Sequence, residues 1–490
     1  MKEKIKSLME KGFLLDPEVA ETLDENTYNL IDRHLNSDEN VVLTKSVIEE
    51  LKQKYSSLQE LNITLVEENF GDVKIIKNYE DIPKKVEVLD FVEHYKIRYN
   101  VLKKILQNRS ELADVVSINR LFNKPERERV SVIGLVLSKE ITKNNHIILE
   151  LEDVTSSIKV LISNNNKNVY DKAKEIVLDE VIGITGSVGN KIIFANDVFF
   201  PDIILNGNNI KKSEFEDYVV FISDIHVGSK LFLEEEFLKF IKWLNGEFGN
   251  AEQKQVAKSV KYLIIVGDIV DGVGVYPGQD EELTIKELSE QYEKLSEYLK
   301  KIRNDIKIVM CPGNHDAIRL SEPQPVFDKC LAKSIWELPN VILVTNPAVI
   351  NIGSYENFSG FNILLYHGYS FDYYIDKMDS IRNNGGYDRA DLVMKFLLQK
   401  RHLAPSHTSS LFIVDPNRDH LIIDEIPDIF ASGHLHKSSV SQYGKTTTIC
   451  GSCWQATTKF QEKVGHHPEP CRVPYLNLKN REVKILKFME

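Results

Sequence analysis

The chain has 490 residues, roughly three times a typical ~150-residue domain, so two or three cores and room for a buried site are expected. Its 73 acidic residues against 61 Lys and Arg leave a formal charge of -12, which excludes a protein that coats nucleic acid or anionic membrane by bulk charge. Five cysteines, a charged N-terminus without an apolar h-region, and no run of ~18 apolar residues argue against a disulfide framework, secretion and membrane insertion, so a soluble, cytoplasmic chain is expected.

Residues 1–55 alternate apolar and charged positions at helical spacing, as in Thr44-Lys45-Ser46-Val47-Ile48-Glu49-Glu50-Leu51, and predict a small helical N-terminal domain. Residues 56–111 are expected to be a linker, its pattern weakening up to about 85, followed by a helix from Val88 to about Gln107. Leu89, Val92, Tyr95, Tyr99, Leu102 and Ile105 form that helix's apolar stripe, which is expected to be core. Between 112 and 210 the period becomes that of strands: Arg129–Leu137, His146–Leu151, Ile158–Ile162, Val181–Ile184 and Lys191–Ala195, with a helix at Val169–Ile176. Five strands with one helix in that place suggest an all-β OB-fold barrel. Residues 111–210 hold 11 Lys and Arg against 14 Asp and Glu, so a scaffold barrel is at least as well supported as a DNA-binding one.

From 215 to 490 the texture is that of an α/β sandwich, with continuous apolar runs that suit strands covered on both faces. Helices are expected at Glu234–Phe248 and Thr284–Arg303. Five runs end in ligand-type residues: Val219–Ser223 before Asp224-Ile225-His226, Leu263–Val266 before Gly267-Asp268-Ile269-Val270-Asp271, and Ile306–Met310 before Gly313-Asn314-His315-Asp316. Ile363–Tyr366 leads into His367-Gly368, and Ile426–Phe430 into Gly433-His434-Leu435-His436. Ligands gather at the carboxyl ends of strands in α/β sheets, so the five segments are expected to meet in one crevice. In an extended segment alternate side chains share a side, which would send both members of D-x-H and H-x-H toward one cluster. Asp224, His226, Asp268, Asn314, His367, His434 and His436 are therefore the candidate metal ligands, with Asp268 as the bridging carboxylate. The set is that of a two-metal site, whose ions ~3.5–4 Å apart clamp an in-line displacement at phosphorus. Imidazole, carboxylate and amide without thiolate suit Mn²⁺, Mg²⁺, Fe or Zn²⁺ without selecting among them. His315 is the candidate proton donor, and Asp316 is expected to orient its imidazole.

These motifs resemble the calcineurin-like metallophosphoesterase superfamily over about residues 217–437. Gly272 after Asp271, and Asp316 closing the third motif, are similar to its nuclease branch rather than to its phosphoprotein phosphatases. With the N-terminal domain, the barrel, Lys400-Arg401-His402-Leu403-Ala404-Pro405 and the tail Gly451-Ser452-Cys453-Trp454-Gln455 to Phe460-Gln461, the whole chain resembles the small-subunit family of archaeal family D DNA polymerases. The resemblance implies a 3′→5′ proofreading exonuclease that works with a separate large catalytic subunit on single-stranded or mismatched 3′ ends and prefers Mn²⁺. It also implies that Asp224, His226, Asp268 and His436 hold one ion and Asp268, Asn314, His367 and His434 the other. The competing readings are an inert scaffold subunit and a stand-alone small-molecule phosphodiesterase. Cys450, Cys453, His466, His467 and Cys471 could form a separate zinc site, but this rests on one C-x-x-C pair and is set against ordinary buried or surface thiols.

Overall fold

The structure, a computed structural model, describes residues 14–16, 19, 42–44, 73–81, 85–203 and 210–489. The helical N-terminal domain expected over 1–55 falls almost wholly outside the described residues; within it Leu14–Leu15 pairs in parallel with Val42–Leu43. By its contacts the chain divides into residues 1–68 and 69–490. Among the described residues, no helix is long and apolar enough to cross a membrane.

Residues 129–199 close into a five-stranded barrel: Arg129–Ile141, Ile147–Glu152, Ser157–Ile162, Val181–Gly189 and Ile192–Phe199. The fifth strand lies between the third and fourth, and pairs in parallel with the third. The helix between the third and fourth strands is Lys167–Lys174. Its Val169 and Ala173 plug the apolar interior formed by Val132, Leu149, Val160 and Ile184. This is an OB-fold barrel.

The remainder is built on two six-stranded sheets. The first runs Val341–Leu343, Lys307–Cys311, Val260–Val266, Tyr218–Ile222, Arg472–Asn477 and Val483–Lys487; its first four strands are mutually parallel. The second runs Ser439–Tyr443, Thr446–Cys450, Ile429–Ser432, Phe361–Leu365, Ala348–Ile352 and Val73–Lys77. Val219, Phe221, Ile264 and Val309 of the first sheet share one apolar layer with Ile350, Ile363, Ile429 and Ile449 of the second. The outer faces are covered too: Glu234–Leu244 and Leu288–Leu299 pack on the first sheet, and Ala390–Lys400 on the second. Burial on both faces is why these strands are continuous apolar runs instead of alternating ones.

Two expectations are corrected. Within the stretch expected as a linker, Val73–Lys77 is a strand, antiparallel to Ala348–Ile352 at the sheet's edge. The helix Val88–Gln107 has its expected bounds, but Leu89 is 71% and Val92 44% exposed, so its N-terminal half does not turn its apolar stripe inward. The first positions that the helix buries are His94 and Arg98. Arg98 donates from Nε to Asp419 Oδ2 at 2.7 Å and from Nη1 to the carbonyls of Pro405 (2.7 Å) and Asp179 (3.3 Å). His402 Nε2 shares the same Asp419 oxygen at 3.0 Å. Next to it, Lys400 is fully buried and bonds Glu180 at 2.9 Å and the Glu175 carbonyl at 2.7 Å. The Lys400–Pro405 segment thus ties helix, barrel and sandwich together, and buried charges persist there because each is paired.

Candidate metal centre

In-register parallel pairing aligns the carboxyl ends of Tyr218–Ile222, Val260–Val266 and Lys307–Cys311, and the loops that follow carry Asp224, Asp268 and Asn314. Phe361–Leu365 and Ile429–Ser432, parallel in the second sheet, deliver His367, His434 and His436 to the same crevice. All seven expected ligands meet there in two groups.

Asp224, His226 and His436 form the first: His226 Nε2 is 3.2 Å from His436 Nε2, and Asp224 Oδ1 is 3.4 Å from His436 Nε2. Asp268, His367 and His434 form the second, joined by Asn314, whose Oδ1 lies 3.0 Å from His367 Nε2 and 3.1 Å from His434 Nδ1. Asp268 Oδ2 sits between the groups, 3.2 Å from His367 Nε2 and 4.0 Å from His226 Nε2. Its Oδ1 accepts the backbone N–H of His315 at 2.7 Å.

Asp224 and His226 reach one group as expected, while His434 and His436 divide between the two, and neither pair gets there by the alternation of extended backbone. Asp224, His226, Asp268, His434 and His436 all lie in the left-handed backbone region, with φ of 50°, 55°, 50°, 72° and 56°. Such residues cost of order 1–3 kcal/mol each and persist where the surroundings over-determine them. Here the chain is pinned by Asp224 N–H to Gly267 O at 3.0 Å, His226 N–H to Asp268 O at 3.1 Å, and His434 N–H to the Asp224 carboxylate at 3.0 Å. Close approach also demands glycine: a Cβ on Gly313 would collide with Asp268 Oδ1, and one on Gly272 with the His315 carbonyl.

Asp316 does not orient His315. Its carboxylate is buried and accepts backbone N–H groups from Gly313 at 2.8 Å, Ile269 at 3.2 Å and Val270 at 3.3 Å, stitching two ligand loops together. His315 Nδ1 is instead held by the Asp271 carbonyl at 2.8 Å, which leaves Nε2 as its free pole.

Five residues behind the site have roles that the sequence did not reveal. Asp271 Oδ1 is 3.1 Å from His226 Nδ1, and its two oxygens accept from Gln455 and Gln279, each at 3.0 Å. Asp372 Oδ2 holds His434 Nε2 at 3.0 Å, and Gln461 Nε2 reaches His436 Nδ1 at 2.9 Å. His367 Nδ1 is held by the Val266 carbonyl at 2.9 Å. The outer nitrogens of His226, His434 and His367 thus each face an acceptor, the arrangement that fixes a metal-bound ring, whereas that of His436 faces an amide nitrogen. The second Asp of G-D-x-x-D was the available signal for Asp271, and Gln455 and Gln461 lie in the tail that carries the family resemblance; Asp372 and Gln279 had none.

Electrostatics match. Burial opposes charge on Asp268, yet His367, His315 and His226 hold its carboxyl well below the usual range. Burial also opposes charge on His367, but Asp268 outweighs it and pushes the imidazole up to about 10. Buried carboxylates faced by imidazoles suit a divalent cation, and the donors fit two. Among the described residues, three groups of side chains are placed to hold an ion, and none contains a cysteine, His466 or His467. Of the two readings of these cysteines the ordinary one fits: Cys450, Cys453 and Cys471 are buried free thiols.

A family model for the B-subunits of DNA polymerases alpha and epsilon matches residues 219–441, and one described as an OB-fold nucleic acid binding domain matches 130–211. The DNA polymerase II small subunit of Methanothermobacter thermautotrophicus is 40% identical over 82% of this chain and 80% of its own. That of Archaeoglobus fulgidus is 35% identical over 96% and 94%. Among solved structures, a novel archaeal phosphodiesterase aligns with 55% of this chain and 98% of its own at 14% identity, with a TM-score of only 0.27. With two such relatives matched along most of their length, the chain belongs to the family of DNA polymerase II small subunits.

Proposed function

We propose that this small subunit is a two-metal 3′→5′ exonuclease of the calcineurin-like metallophosphoesterase type, serving the large catalytic subunit of a family D polymerase. The observation that carries the reading is Asp268 Oδ2, set between two groups of ligand-type side chains. Asp224, His226 and His436 would hold one divalent ion and Asn314, His367 and His434 the other, with Asp268 shared and Mn²⁺ the preferred metal. When bound, such ions neutralise a phosphodiester and activate water beside it.

The remaining chemistry belongs to side chains. His315, tied at Nδ1 to the Asp271 carbonyl, presents Nε2 to donate a proton to the 3′-oxygen that leaves. Asp271 sets both His315 and His226, and Asp316 braces the loops that carry Asp268 and Asn314. The partner supplies most of the affinity for DNA, since the chain carries -12 overall.

The test is digestion of a 3′-mismatched oligonucleotide by the purified chain with Mn²⁺, Mg²⁺ and Zn²⁺ compared. Loss of 3′ nucleotides by the wild type, absent in Asp268→Ala and reduced ~10²–10⁴-fold in His315→Ala, is expected. Equal digestion by Asp268→Ala would overturn the reading.

A further inference from the structure

The crevice has aromatic walls that metal binding does not use. It encloses about 280 Å³, near the lower end of the ~300–1,000 Å³ of small-ligand sites, a volume on the scale of one terminal nucleotide. Tyr276 and Tyr369 both line it. Tyr276 stands beside His315, ring centroids 6.3 Å apart, and its hydroxyl is committed to Glu282 at 2.9 Å. Tyr369 stands beside His434, centroids 6.1 Å apart. Its neighbours anchor the backbone: His367 is held at Val266, and buried Ser370 donates from Oγ to the Leu403 carbonyl at 2.6 Å. The ring itself is half-buried, and among the described residues its hydroxyl has no hydrogen-bond partner.

We infer that Tyr369 is a nucleobase platform on which the 3′-terminal base stacks, so that a single nucleotide is seated in the crevice whatever its sequence. The inference rests on the exonuclease reading. If His315 protonates the leaving 3′-oxygen, that oxygen belongs to the retained strand, which places the penultimate nucleoside at the His315 and Tyr276 end. The terminal nucleotide keeps the phosphate and extends the other way, toward His434 and Tyr369. A ring positioned there, rigid in its backbone and free at its hydroxyl, offers a π-face that every base can use.

Two readouts test this on the full chain. In the first, oligonucleotides ending in a normal nucleotide or in an abasic tetrahydrofuran residue are digested with Mn²⁺. The wild type is expected to show a KM about 5–150-fold lower for the base-bearing end. Tyr369→Phe keeps that preference; Tyr369→Ala, and Tyr369→Leu with its packing volume kept, lose it. In the second, an oligonucleotide with 3′-terminal 2-aminopurine is titrated with protein in chelator, without turnover. Its fluorescence is expected to be quenched by the wild type and by Tyr369→Phe, but not by Tyr369→Leu. A preference for the base-bearing end that survives in Tyr369→Leu, or equal losses on both ends, would overturn the platform and leave the exonuclease standing. A wild type that shortens neither oligonucleotide would overturn both.

Discussion

Asp271 restrains two histidines at once, His226 through its carboxylate and His315 through its main-chain carbonyl. Asp271→Asn separates these tasks, because the carbonyl stays while the side chain loses its charge. It also sets an amide against the donors of Gln279 and Gln455. A loss of ~10–100-fold in metal affinity or activity is expected, measured by metal titration and by exonuclease assay. Affinity and rate equal to the wild type would show that the carboxylate does not set His226.

Metal binding should release protons. In the folded chain His367 is pushed up to about 10, so near neutrality it carries a proton that an ion must displace. Affinity for Mn²⁺ should therefore rise with pH from 6 to 9, and the heat of binding should depend on the ionisation enthalpy of the buffer. Calorimetry in two buffers at one pH checks the sign; identical heats would rule the proton out.

The junction beneath the barrel should be acid-sensitive. Burial first, and then the Arg98 charge, pushes His402 down to about 4, so between about pH 6.5 and 4 the unfolded chain takes up a proton that the folded one refuses. Stability falls across that window as pH drops, by on the order of 3 kcal/mol at most. Asp419, held well below the usual range by Arg98 in spite of burial, contributes stability present above about pH 4 and lost as pH falls through its folded value. His402→Gln should flatten the decline between pH 6.5 and 4 in urea midpoints. Arg98→Met, which strands the Asp419 charge, should cost about 3–5 kcal/mol at pH 7.

Lys400 and Glu180 allow a cleaner test of the barrel's attachment. Lys400→Met alone leaves Glu180 buried and unpaired, and should destabilise by about 3–5 kcal/mol. Adding Glu180→Leu should recover at least half of that loss in the same denaturation assay. Additive losses would mean that the pair is not coupled.

The ligands were legible because chemistry and fold share one signal: an apolar strand that stops at Asp, Asn or His. How the ligands are oriented was not. Left-handed backbone at Asp224 and His434 depends on hydrogen bonds from loops far away in sequence, and no local pattern announces them. The same distance hid Asp372 and the role of Gln461, whose partners His434 and His436 are 62 and 25 residues off. The barrel was readable from its alternation. The buried face of Val88–Gln107 was misjudged because His94 and Arg98 enter the interior only by virtue of Asp419, 321 residues from Arg98. Val73–Lys77 was missed since a five-residue strand beside polar, turn-forming residues carries little periodicity.

That short strand makes the sandwich discontinuous in sequence: the barrel is threaded through it as an insertion. A fragment begun at residue 215 would bare the rim of Ala348–Ile352, an invitation to intermolecular pairing and precipitation. During synthesis Val73–Lys77 also emerges some 270 residues before the strand it completes, since its register partner for Lys77 is Val349. The second sheet therefore stays open until most of the polypeptide has left the ribosome, and expression trials should start upstream of Val73.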